Sequence, residues 1–129
     1  MSLTAFRTLG RSGLVVSPAA LGTMTFGNQG WGSADDVSQA IFDAYVDAGG
    51  NFIDTADVYS GGRSEELLGG YVAGRCLRDK LVLATKFSFN AEAGNPHAGG
   101  NGRKNIHRAL EGSLRRLRTD YIDLYWMHT

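Results

Sequence analysis

Two hydrophobic periods alternate along this chain. Short apolar runs bounded by Gly, Asn or Asp predict buried strands at Ala19 to Gly22, Asn51 to Thr55, Leu81 to Lys86 and Tyr121 to His128. Stretches with helical spacing lie between them. In the first, Ser33 is placed as an N-cap, with Asp35 and Asp36 in the first turn, where the helix dipole favours anions. Val37, Ile41, Ala44, Tyr45 and Ala48 then share one predicted face, and Gly49-Gly50 ends the helix. The second helix starts at Ser64-Glu-Glu and carries Leu67, Leu68, Tyr71 and Val72 as its apolar stripe. The third runs from Arg103 to Leu117 on Ile106, Leu110, Leu114 and Leu117. Arg115, Arg116 and Arg118 at its end read as a solvated, dipole-compatible basic terminus. Two glycine-rich segments, Phe26 to Gly32 and Phe87 to Gly102, read as loops.

Ahead of this series, Ala5 to Leu9 and Leu14 to Ser17 flank the turn-rich Gly10-Arg-Ser-Gly13, which predicts a β-hairpin closed by Pro18. The order is therefore a hairpin followed by β-α-β-α-β-α-β. Strands alternating with helices imply a parallel sheet with right-handed crossovers. The expected fold is α/β: the N-terminal half of a (β/α)8 TIM barrel preceded by a β-hairpin cap. Residues 1–18 form the cap and 19–129 the first four strands and three helices. A complete barrel needs eight units and roughly 250 residues, against 129 here.

In parallel α/β folds the chemistry sits where strands end. Three successive predicted strands end in Asp54, Lys86 and His128, and Tyr59 follows the first of these by one short loop. A phenol is a poor acid at neutral pH, with an ordinary pKa of about 10. A neighbouring cation favours the phenolate and makes a phenol a useful proton donor. Singly, each residue has an ordinary structural explanation: a turn cap, loop packing, a solvated strand end, a rim histidine. Together they occupy one end of one sheet.

Composition narrows the range of partners. Lys+Arg and Asp+Glu are both 13, for a formal net charge of zero. That argues against a nucleic-acid footprint, which needs a basic excess, and gives no reason to expect membrane-surface binding. No apolar stretch of about 18 residues is present for a membrane span, and the N-terminus lacks the apolar core of a signal peptide. Cys76 stands alone, which fits a reducing cytoplasm, and no metal-ligand spacing surrounds it.

With these residues in hand, the chain resembles the aldo-keto reductases over essentially its whole length. The resemblance rests on Leu21-Gly-Thr-Met-Thr-Phe-Gly27, Asn51-Phe-Ile-Asp-Thr-Ala-Asp-Val-Tyr59, Ser64-Glu-Glu-Leu-Leu-Gly69, Leu83-Ala-Thr-Lys86 and Asp120-Tyr-Ile-Asp-Leu-Tyr-Trp-Met-His128. It implies a catalytic tetrad of Asp54, Tyr59, Lys86 and His128, all present. It also implies NADPH (NADP+) as cofactor and an aldehyde or ketone as the small-molecule substrate. Hydride transfer would accompany proton donation by Tyr59, with Lys86 beside the phenol, Asp54 pairing the lysine and His128 orienting the carbonyl. Gly22, Thr23 and Met24, with Asp54, match the stretch beside the nicotinamide ribose. Trp31 lies in the loop that supplies an aromatic wall to the substrate pocket, alongside Tyr59 and His128. Trp126 shares a strand face with His128.

Family members continue well past this histidine. The remaining half would hold the strands that bind the carboxamide, the pyrophosphate and the 2′-phosphate. A half barrel alone would leave two open sheet edges and an apolar interior facing water. The expected remedy is either a homo-oligomer or the missing C-terminal half. Two alternatives to an enzyme stand beside the leading reading: a nucleotide-binding regulatory subunit and a non-catalytic, self-associating half barrel.

Overall fold

The computed structural model describes residues 1–129. A small antiparallel ribbon comes first, β1 (Arg7–Thr8) against β2 (Val15–Val16). Then follow β3 (Leu21–Gly22), α1 (Asp35–Asp47), β4 (Phe52–Asp54), α2 (Arg63–Gly74), β5 (Val82–Phe87), α3 (Arg103–Leu117) and β6 (Leu124–Met127). Strands β3 to β6 form one parallel sheet in sequential order. All three helices contribute to a single core against β4 and β5: Phe42 from α1, Leu67, Leu68 and Val72 from α2, and Leu117 from α3 meet Ile53 and Leu83. The register sends side chains alternately to two faces. Ile53, Leu83 and Thr85 turn to the helices, whereas Asp54, Lys86 and Trp126 turn away from them.

The predicted inner face of α1 is wrong by one residue. Val37 and Ile41 are exposed, and Ser38 and Phe42 are buried instead. The spacing is the same, rotated by roughly 100° of helix. Phe42 decides the rotation, because its ring packs on Tyr71 at 5.6 Å. Tyr45 is common to both faces; its hydroxyl lies 2.9 Å from the Ala19 and Phe52 carbonyl oxygens, which share its proton, and anchors α1 to the starts of β3 and β4. Ser33 does not cap the helix. Ala34 occupies that position without a side-chain bond, and the Ser33 carbonyl accepts from Ser38 Oγ.

The last strand is shorter than its apolar run. Residues 121–123 are spent on an approach in which the Arg78 guanidinium lies 3.6 Å from the centre of the Tyr121 ring and pairs with Asp123 at 2.9 Å.

Gly69 lets α2 and α3 touch. A Cβ built there would lie 2.4 Å from the Arg116 carbonyl oxygen and 2.8 Å from the Leu117 carbonyl carbon, both backbone atoms. Gly69→Ala is therefore expected to lower stability by about 1–3 kcal/mol through overpacking. Gly70→Ala, where a Cβ meets nothing within 4 Å, is expected to be neutral or stabilising. Urea midpoints of the two variants check the contrast.

Candidate active site

Asp54 ends β4, in register with Gly22 on β3 and Ala84 on β5. One turn of strand further along β5, Lys86 reaches back across the sheet. Its Nζ donates to Asp54 Oδ2 at 2.5 Å, to the Thr55 carbonyl at 2.8 Å and to the Tyr59 hydroxyl at 3.2 Å. An ammonium has three donors, so each proton has its own acceptor and the amine is held without rotational freedom. The lysine side chain is mostly buried, at 14% exposed, and the Asp54 carboxylate compensates its charge.

Tyr59 is delivered by a tight turn. Ser60, Gly61 and Gly62 all have positive φ, a conformation that suits glycine. Ser60 is held in it by its hydroxyl, which donates to the Phe26 carbonyl at 2.8 Å. Beneath the site runs a buried polar seam. Thr23 Oγ1 donates to the Asp54 carbonyl at 3.2 Å, and Ser64 Oγ donates to the Thr23 carbonyl at 2.8 Å. Thr55 and Ser64 hydroxyls lie 3.2 Å apart. These bonds tie the ends of β3 and β4 to the start of α2, so the carbonyl that receives Lys86 is fixed.

His128 follows β6, and its N–H donates to the Phe87 carbonyl at 2.9 Å. The ring stands edge-on to Tyr59 at 5.8 Å and to Phe89 at 4.8 Å. Burial, and then the Lys86 charge, push its pKa below the ordinary histidine value, against a smaller opposing pull from Asp54. The imidazole is therefore neutral at neutral pH, and its Nδ1 is buried without a partner. The sheet face that carries these groups opens into a cavity of about 530 Å³ walled by Gly22, Phe52, Asp54, Lys86, Trp126 and His128.

The structure thus brings Asp54, Tyr59, Lys86 and His128 together; Asp54, Lys86 and His128 line the cavity with Gly22 and Trp126, whereas Tyr59, expected in the substrate pocket, lies beside Lys86 and off the cavity wall. The other expected residues are placed differently. Thr23 is fully buried with its hydroxyl spent on the seam, Met24 is half exposed, and Trp31 is 64% exposed and off the cavity wall.

Two acidic residues escaped the sequence reading. Glu65 is fully buried, accepting from Thr85 Oγ1 at 2.6 Å and from Arg116 Nε at 2.7 Å. Arg116 is accordingly no solvated terminus but the partner of a buried carboxylate. A signal was available, since Glu65, Leu68 and Val72 share helical spacing, which places the glutamate on the apolar stripe. Asp57 is the second. Burial first, and then the charge of Glu65, raise its pKa from 3.8 to about 6.

Between pH 3.8 and about 6 the folded protein therefore holds a proton on Asp57 that the unfolded chain has released. The stabilising effect is full below pH 3.8 and is lost as pH rises through about 6. Asp57→Asn should stabilise the protein at pH 8 relative to pH 4, by about 1 kcal/mol after allowing for solvent screening of a partly exposed group. Thermal midpoints at the two pH values test the sign.

The Aldo/keto reductase family model matches residues 19–129, and the chain belongs to that family. Norsolorinic acid reductase stcV of Emericella nidulans is 44% identical over 126 residues, covering 91% of this chain and 33% of that protein. An NADP(+) aryl-alcohol dehydrogenase of Phanerodontia chrysosporium is 41% identical, covering 90% of this chain and 34% of its own length. Among solved structures, the holo form of aldo-keto reductase AKR11C1 from Bacillus halodurans superposes with a TM-score of 0.76 at 38% identity, over 93% of this chain and 38% of that one. The chain spans about a third of the length of the curated relatives it matches. No helix is long and apolar enough to cross a membrane.

Proposed function

We propose that this site reduces an aldehyde or ketone to an alcohol with NADPH, Tyr59 serving as general acid. The observation that carries the reading is the three-way arrangement at Lys86 Nζ, with a carboxylate, a carbonyl and the Tyr59 hydroxyl all within 3.2 Å. When the phenol proton moves to a developing alkoxide, negative charge appears on the Tyr59 oxygen. The ammonium is already in place there, and fixed charges aimed at developing charge are where such sites gain most of their rate. Asp54 keeps the amine charged and pointed. The neutral His128 ring lines the cavity, where a ring N–H would hydrogen-bond the carbonyl oxygen and direct it toward Tyr59.

The residues present suit the reactive end of the cofactor. A Cβ added at Gly22 would meet nothing within 4 Å, so the wall beside Asp54 is open to a flat ring. Gly22, Thr23, Met24 and Asp54 would flank the nicotinamide and its ribose, Thr23 through its backbone because its hydroxyl is engaged. NADPH supplies the hydride when bound.

The one-sided sheet, with edges at β3 and β6 and with Trp126 and Met127 44% and 62% exposed, supports closure into a (β/α)8 barrel by further strands. Strands of a longer chain are our preferred source, a second copy the alternative. Trp126 and Phe52 favour an aromatic carbonyl, in keeping with the aryl-alcohol and norsolorinic acid relatives, and a cytoplasmic setting suits the NADPH supply and the unpaired Cys76. Titration of NADPH fluorescence with the protein tests the cofactor assignment. Saturable quenching or enhancement by the protein with its barrel closed by those strands supports it, and its absence there removes it.

A further inference from the structure

The loop between β5 and α3 contains a side-chain relay from Ser88 through Asn101 to the Thr129 carbonyl. It starts at Ser88, directly after β5, which is buried and holds φ at +142°. L side chains rarely adopt that backbone conformation, and glycine adopts it freely. A serine kept there calls for a use of its hydroxyl, and one is present. Ser88 Oγ takes the longer share of the His128 backbone N–H, at 3.2 Å beside the Phe87 carbonyl at 2.9 Å, and donates to Asn101 Oδ1 at 2.8 Å. The other end of the same amide, Asn101 Nδ2, donates to the Thr129 carbonyl at 3.1 Å. The amide orientation that satisfies both contacts is unique, since reversing it would oppose two oxygens. The Ser88 carbonyl in turn accepts from Gly100 N at 2.7 Å, which closes the base of the loop.

The chain on both sides of the His128 ring is therefore held by two side chains from one loop, and Phe89 from the same loop lies edge-on against the imidazole. We infer that Ser88 and Asn101 are positioning residues that clasp the His128 backbone and so set where its imidazole stands between Tyr59 and Phe89. The role in turnover rests on the function proposed above, but the clasp itself does not. Neither residue lines the cavity, so neither meets a ligand there directly. Freed of the clasp, the ring would lose contact with Phe89 and gain water, and its midpoint would move up toward the ordinary histidine value.

The test is the His128 imidazole titration followed by proton NMR in the wild type, Ser88→Gly and Asn101→Ala, with the signal assigned by its loss in His128→Gln. Ser88→Gly is the sharper variant, because glycine relieves the backbone strain and removes only the short hydroxymethyl side chain. The clasp predicts that the His128 midpoint rises in both variants. It also predicts that kcat for an aromatic aldehyde falls about tenfold or more, as expected when a catalytic group is displaced by a fraction of an ångström to an ångström, while the KM for NADPH stays constant. An unchanged His128 midpoint in both variants overturns the inference, as does an unchanged kcat in Ser88→Gly. Should the wild type show no carbonyl turnover, the proposed function fails, and the His128 titration alone decides the clasp.

Discussion

Tyr59→Phe is expected to lower carbonyl reduction by about 10²–10⁴-fold, the usual worth of a positioned general acid, and to leave NADPH affinity unchanged. The substitution removes one oxygen and little else. The ring keeps its edge contact with His128 and stays under the Lys86 ammonium, 4.9 Å from the ring centre. Lys86 retains Asp54 and the Thr55 carbonyl. What disappears is the only hydroxyl that the ammonium addresses, and with it the route by which a proton reaches the alkoxide. A role in binding alone would raise KM with kcat intact, whereas proton donation lowers kcat and kcat/KM together. Initial rates at saturating NADPH separate the two.

The largest effect on stability is expected far from the cavity. Arg116→Leu should destabilise the fold by about 3–5 kcal/mol, because it strands the Glu65 carboxylate in the interior without its counter-ion. Glu65 is fully buried, and its remaining bond is to the neutral Thr85 hydroxyl. A loss of that size consumes a large part of the 5–15 kcal/mol typical of a domain. The neighbouring Arg115→Ala, on the exposed side of the same helix, should stay within about 0.5 kcal/mol of the wild type. Replacing both members of the pair, Glu65→Leu with Arg116→Leu, should recover part of the loss, since apolar pairs often substitute for buried ion pairs at little net cost. Urea denaturation of the three variants gives the comparison directly.

The candidate site was legible because its members fall at repeating positions. Asp54, Lys86 and His128 each lie at or just past the end of a strand, and parallel pairing brings successive strand ends to one rim. Tyr59 was legible only by its closeness to Asp54. The path between them, with its run of left-handed residues at 60–62, is not written in any periodic pattern. The helix boundaries of α3 were plain from Arg103 to Leu117. The inner face of α1 was not, because Val37 with Ile41 and Ser38 with Phe42 offer the same spacing one residue apart. Only the contact of Phe42 with Tyr71, formed after α2 has docked, chooses between them.

The Glu65–Arg116 pair joins residues 51 positions apart, so the basic run at the end of α3 looks solvated until the helices are packed. For Thr23 the family resemblance implies a place beside the nicotinamide ribose, and the fold engages its hydroxyl with the Asp54 carbonyl, which leaves its backbone for that contact.

Hydride transfer with proton donation by Tyr59 is tested most directly by reduction of benzaldehyde with NADPH carrying two deuterium atoms at nicotinamide C4, with the alcohol examined by mass spectrometry. The expected product is enzyme-dependent benzyl alcohol bearing one deuterium on the carbinol carbon, formed by the wild type and lost in Tyr59→Phe. Unlabelled alcohol, or label transfer that persists undiminished in Tyr59→Phe, would contradict it.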